Sequence, residues 1–340
     1  MADLLEMLCN ESGVSGNEDE IRGLIINEIT PYTDNVTVDT MGNIIAYKKG
    51  RKDDIKIMVT AHTDEAGFIV SQITDKGYIK FKPVGNIDER SVISKCVEIG
   101  DKKINGVIGM KAIHLQKKEE REKTVDFSDL YIDIGADSKK TAEKQVCLGD
   151  YVSFKTKFAE LGNNIKGKAF ASRIPCYCLI EALKKEHENS FYAVFTAQSE
   201  VGNRGAQISS YGVNPDVVLT LDATESADMF GVKKSEIIAK IGEGAVVSYM
   251  DKGVIADKRL TDMLVAAMKE NKIKFQFRNS AMGKSDAGAA QLAGSGAKAA
   301  MLGIPCRYLH TPVSIASKND IKAMTDTINI FLNFNNLGVL

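Results

Sequence analysis

The 340-residue sequence predicts an α/β protein: a mixed sheet covered by helices and interrupted by a small inserted β domain. Three observations carry this prediction. Helix-like and strand-like runs alternate through residues 1–67 and again through 161–340, whereas residues 68–160 hold only short alternating runs broken by Gly, Asp and Lys turns. Several apolar strand runs also end directly in His, Asp or Glu, where open α/β sheets gather their binding groups.

In chain order, Asn17 reads as a helix cap with Glu20 in the capping-box position, and Ile21, Leu24, Ile25 and Ile29 form one apolar face ending near Thr30. VTVDT, MGN and IIAYKK read as a hairpin, and IKIMVTAH as the strand that reaches His62. In the insert, FIVSQI, GYIKFKPV, CVEIG, INGVIGM, LYIDIGA and DYVSFK are strand-like, and KKEEREK (117–123) is a solvated charged loop. His114 fits a structural histidine better than a ligand. Beyond Leu161, helices are expected over 174–186 and 259–271, and strands over 191–197, 217–221 and 273–278. GKSDAGAAQLAG gives a loop and helix, AKAAMLG a strand, and Ser317 caps a final helix with Asp320 in its first turn.

Composition excludes whole classes of function. With 44 basic and 45 acidic residues the formal net charge is −1, so no overall field draws nucleic acid or an anionic membrane. No segment is long and apolar enough to span a bilayer, and no signal peptide opens the chain, so a cytoplasmic protein is expected. Six scattered cysteines without a CxxC pair suit buried reduced thiols.

The stretch VTAHTDEAGFI (59–69) organises the chemistry. Period-two geometry puts His62 and Asp64 on one side of an extended segment, so one can bind a metal while the other orients it. Alone, such a pair is more often a hydrogen-bonded strand-end histidine than a ligand. Three later strand runs also end in candidate ligands: FYAVFTAQSE at Glu200, VVLTLD at Asp222 and CRYLH at His310. Two histidines and two carboxylates suit zinc, cobalt or manganese.

AHTDEAGF (61–68), GNIDER (85–90), GVIGMKAIHLQ (106–116), GKAFASR (167–173), QSEVGNRGA (198–206), LDAT (221–224), GKSDAGA (283–289) and RYLHTP (307–312) resemble metallopeptidase family 42, the tetrahedral or glutamyl aminopeptidases, some labelled endoglucanases. The resemblance keeps its order over essentially the whole chain. It implies an aminopeptidase-like mixed-sheet domain (1–67 and 161–340) that holds two divalent metals and acts on short peptides. It also implies a barrel-like or PDZ-like insert (68–160) that mediates dimerisation, with dimers assembling to a tetrahedral dodecamer. By resemblance, His62 and Asp222 are ligands of one metal, Glu200 and His310 of the other, and Asp64 orients His62.

Two positions depart from the family pattern. Ala171 stands where an aspartate bridges the metals, and Ser199 where a glutamate is the general base. Ser172, Pro175, Ala112 and Ala245 are further departures nearby. Without the bridge, two dications lack the shared anion that offsets their repulsion, and each keeps two protein ligands rather than the usual three. One weakly held ion or none is therefore expected. A lost general base costs on the order of 10²- to 10⁴-fold in rate. The sequence thus predicts an impaired or inactive homologue serving as a structural, regulatory or peptide-binding subunit, either alone or beside an active paralogue. The alternative is an active aminopeptidase with a mononuclear or anion-bridged site, in which Glu65 or Asp286 stands in. A third reading, glycoside hydrolysis by paired carboxylates, meets a chain with no tryptophan for sugar stacking.

Overall fold

The computed structural model describes residues 2–335 and 337. Among them, eleven strands form one mixed sheet and six close a separate barrel. The middle of the sheet is parallel: Asn189–Thr196, Lys52–His62, Val217–Glu225 and Lys298–Arg307 lie side by side in that order. The last six residues of Lys52–His62 and eight consecutive residues of Lys298–Arg307 are buried. Such continuous apolar runs are what parallel strands covered on both faces require.

Strands paired antiparallel, apart from Phe275–Phe277, extend both sides of this centre. The hairpin Asn35–Val38 and Ile44–Lys48 pairs onto Asn189–Thr196. On the far side come Ser314–Ser317, Asn164–Gly167 and Ala159–Leu161, while Ala245–Ser248 and Phe275–Phe277 branch from Lys298–Arg307. One face is covered by Phe170–Leu183, packed with Ala2–Asn10, Asp19–Ile29, Lys258–Glu270 and Lys318–Leu332 around Ile25, Leu179, Phe195 and Phe331. Helices Arg204–Val213 and Asp286–Gln291 cover Met58, Val194 and Val218 on the other.

The six strand-like runs of the insert become the barrel strands Gly67–Ile73, Ile79–Val84, Cys96–Ile99, Ile104–Gly109, Tyr131–Asp133 and Tyr151–Phe154, all paired antiparallel. Phe68 lies at the centre of the barrel core, edge-on to Phe81, Phe127 and Phe154. Where the chain enters the barrel, Gly67 is obligatory in size. A Cβ there would lie 2.5 Å from Val14 and 2.6 Å from the Val152 carbonyl.

Several local expectations need correction. The helix expected from an Asn17 cap is preceded by Ala2–Asn10, which the sequence reading did not give, and it starts at Asp19 after Glu18, whose carboxylate accepts the Gln198 N–H at 3.1 Å and is held against the opposite turn. The helix expected from 174 begins at Phe170, whose buried ring anchors the first turn. Lys118–Arg121 is a short helical turn within the charged loop. Cys9, Cys176, Cys178 and Cys306 are buried, but Cys96 and Cys147 are exposed; Cys96 points outward on a barrel strand where alternate residues must. No described helix is long and apolar enough to cross a membrane.

Candidate active site

Because the four central strands run the same way, their C-terminal ends lie together. Register sets His62 opposite Thr196 and Ala61 opposite Leu221, so His62, the 198–200 turn and Asp222 share one edge of the sheet. The loop after Lys298–Arg307 returns His310 to that edge in a left-handed conformation, φ 59°. The Glu225 carboxyl, raised by burial, lies close enough to the Leu309 and Tyr308 N–H groups of this loop for them to oppose that rise. The sequence reading missed this residue, since nothing in its local pattern marks it.

Asp64 is the hub. It is fully buried, 3.2 Å from His62 Nδ1, and accepts the Ser15 hydroxyl at 2.5 Å and the Ser199 and Glu200 N–H groups at 2.9 Å each. Burial alone would raise its carboxyl, but the hydrogen bond and charge of His62, with these other donors, hold it below the usual carboxylate range. Burial disfavours the His62 imidazolium, yet Asp64, Asp222 and Glu200 together push that group up to about 10. Burial raises Glu200 to about 7, and raises Asp222 against the opposing charge of His62.

The candidate ligands meet in part. His62 Nε2 lies 3.9 Å from Asp222 Oδ1. Glu200 and His310 line one pocket with Asp64, Ala171, Lys168 and Ser314. Among the described residues, no three His, Cys, Asp or Glu side chains gather into a group able to hold a metal ion. Ala171 presents a methyl group to the pocket from the first turn of Phe170–Leu183, and that turn has no acidic residue. His114 sits exposed on the barrel, away from the pocket lining.

Ser199 faces away from proton transfer. Its hydroxyl donates to Asp286 Oδ1 at 2.7 Å, and buried Asp286 also accepts the Asn203 amide at 2.8 Å and the Thr196 hydroxyl at 2.5 Å. Glu65 is equally committed. It accepts Lys168 Nζ at 2.5 Å, the Gly13 N–H at 3.0 Å and Arg173 Nη2 at 3.4 Å, in a cluster where all three charged side chains are buried.

A sequence profile described as M42 glutamyl aminopeptidase matches residues 42–327. The chain belongs to this family. A protein of Acetivibrio thermocellus, named as a candidate aminopeptidase, is 38% identical over 323 residues, 94% of this M42 chain and 95% of its own. The crystal structure of a TET aminopeptidase from a marine sediment Thaumarchaeota archaeon superposes with a TM-score of 0.95 at 32% identity, covering 99% of this chain and 96% of that one. The TET1 peptidase of Pyrococcus horikoshii, whose structure is described as assembling into a tetrahedron or a large octahedral shell, gives 0.86 at 29% identity, covering 97% and 98%. The α/β architecture with its barrel is therefore that of the M42 aminopeptidases.

Proposed function

We propose that this M42-family chain binds short peptides by their N-terminal end but hydrolyses them poorly, acting as a structural, regulatory or peptide-binding subunit. One observation carries the reading. At the position where the family resemblance calls for a general base, Ser199 gives its only proton to Asp286 and offers no basic group to an attacking water.

The two-metal centre implied by the family fits this donor set poorly. Ala171 supplies no bridging oxygen, and the pairs His62 with Asp222 and Glu200 with His310 leave each ion short of the three protein ligands usual at a catalytic zinc. A single weakly held zinc, cobalt or manganese ion, or none, follows.

A second reading, an active aminopeptidase with a mononuclear or anion-bridged site, is favoured by one feature only: Asp286 lies directly behind Ser199. Its carboxylate already accepts three neutral donors, which hold it as a structural acceptor. Glu65, the other stand-in, is locked between Lys168 and Arg173.

The barrel, taken as an inserted domain over 68–160, would join copies into dimers, and the peptidase-type domain of 1–67 and 161–340 would carry the pocket. Copies would then assemble further, as in the related peptidase shells, alone or with an active paralogue, in the cytoplasm. An aminopeptide panel with added zinc, cobalt or manganese tests the main reading. The unmodified protein should turn over at least about 100-fold more slowly than the Ala171→Asp plus Ser199→Glu variant. Brisk cleavage by the unmodified protein would overturn it.

A further inference from the structure

Phe230 is fully exposed, at 107%, the highest value of any large apolar side chain among the described residues. It is not on a loose end. The Val232 N–H donates to the Met229 carbonyl, and Gly231 takes φ 83°, the left-handed position that a type II turn reserves for glycine. Phe230 therefore occupies the tip of a defined turn. The base of its loop is closed as well. Arg307 Nε and Nη2 donate to the two Asp228 oxygens at 2.7 and 2.8 Å, Asp228 also accepts the Ile241 N–H at 3.1 Å, and the Ser226 carbonyl accepts the Ile238 and Ala239 N–H groups. A ring presented to water by a fixed loop has its apolar surface still to bury and little ordering cost left to meet when it does.

The loop leaves the sheet at the edge of the candidate site. Val217–Glu225, which carries Asp222, runs parallel to Lys298–Arg307 up to the pair Glu225 and Cys306, and the Ser226 N–H then donates to the Cys306 carbonyl at 2.9 Å. From that point one chain goes on to Phe230 and the other to Tyr308 and His310. The clamp between Asp228 and Arg307 keeps them together, with Phe230 two residues beyond Asp228 and the exposed Tyr308 one beyond Arg307.

We infer that Phe230 is a specificity-determining contact for the peptide at the candidate site, its ring receiving an apolar or aromatic side chain on the peptide's second residue. The inference rests on the peptide binding proposed above. The first residue is held at the sheet edge by Asp222 and His310, so the side chain that reaches a loop beyond that edge belongs to the next one. Area selects a peptide over a second protein surface. At about 200 Å² for a fully exposed ring, Phe230 with the part-exposed Tyr308 offers roughly 300 Å², enough for one or two side chains but well short of the ~800 Å² each partner gives to a stable protein interface. Charge agrees, because Lys233 and Lys234 stand exposed in the same loop and complement the terminal carboxylate of a short peptide.

The test is calorimetric titration with two tripeptides, Ala-Phe-Ala and Ala-Gly-Ala, each with its first peptide bond reduced so that it cannot be cleaved. The unmodified protein should bind the phenylalanine peptide about 2- to 10-fold more tightly, the worth of one aromatic pair. Phe230→Ala should bring the two affinities together with circular dichroism unchanged, and Phe230→Tyr should keep the preference. Equal affinities in the unmodified protein, or an undiminished preference in Phe230→Ala, would overturn the role of Phe230 and leave peptide binding standing. Failure of both peptides to bind the unmodified protein would overturn both readings. A fall in sedimentation mass on Phe230→Ala, with the peptide preference unaltered, would assign the ring to a contact between copies and refute the inference.

Discussion

Glu65→Gln removes a carboxylate that faces two buried cations. In the folded protein Glu65, Lys168 and Arg173 keep 3%, 4% and 0% of their side-chain surface, and the carboxylate lies 2.5 Å from Lys168 Nζ and 3.4 Å from Arg173 Nη2. Burial pulls the Lys168 ammonium downward and the Glu65 charge opposes it. Glutamine keeps an acceptor for one donor but leaves two positive charges without an anion in a site that water cannot screen. Breaking a buried pair in this way costs about 3–5 kcal/mol, a large share of the 5–15 kcal/mol that holds a folded domain. Urea unfolding followed by circular dichroism reads the change as a fall in midpoint at constant slope. Adding Lys168→Met should recover part of the loss, because one of the uncompensated charges is gone. A loss below about 1 kcal/mol would refute the claim that Glu65 is structurally committed, and would return it to consideration as a proton acceptor.

Burial lowers the His187 imidazolium below its ordinary value, and its Nδ1 has no partner while Nε2 donates to the Ala182 carbonyl. The folded state thus prefers the neutral ring: full stability holds above pH 6.5, and as pH falls below that the unfolded chain takes the proton first. His187→Phe, which can keep the edge contact with Phe191, should flatten the loss of stability between pH 6.5 and 5 in urea titrations; an unchanged slope would contradict it. Gly244 sits at φ 91° with a would-be Cβ 2.0 Å from the Lys274 carbonyl oxygen, so Gly244→Ala should cost at least ~2 kcal/mol, and near-neutral unfolding would refute this. Asp320, fully buried, accepts the Gly242 and Gly244 N–H groups at 2.6 and 2.7 Å; Asp320→Asn sets an NH₂ against one of them and should cost about 1–3 kcal/mol by the same assay.

The frame of the protein was legible because it rests on local patterns. The six alternating runs of the insert each became a barrel strand, and the Ser317 hydroxyl accepts the Asn319 N–H at the start of the last helix. Parallel order brings the strand ends together: His62 ends its strand, Glu200 and His310 follow theirs in loops, and Asp222, expected at a strand end, lies inside Val217–Glu225. What escaped were contacts made across long stretches of chain. Lys168 meets Glu65 from 103 residues away, and Asp286 meets Ser199 from 87, so no window of sequence holds both partners. The Asn17 cap failed for the same reason: Glu18 is claimed by Gln198, 180 residues on. Pro175 stands inside Phe170–Leu183, yet that helix is buried on nearly all sides, and packing outweighs one lost backbone hydrogen bond.

The absence of a proton acceptor at Ser199 is tested most directly by adding one back on a fixed background. Ala171→Asp alone and Ala171→Asp plus Ser199→Glu should be compared for bound metal and for kcat on the same aminopeptide. The expected result is matched metal content with kcat higher by about 10²- to 10⁴-fold when the glutamate is present. Equal rates in the two variants, both well above background, would show that another group already takes the proton and would contradict the account.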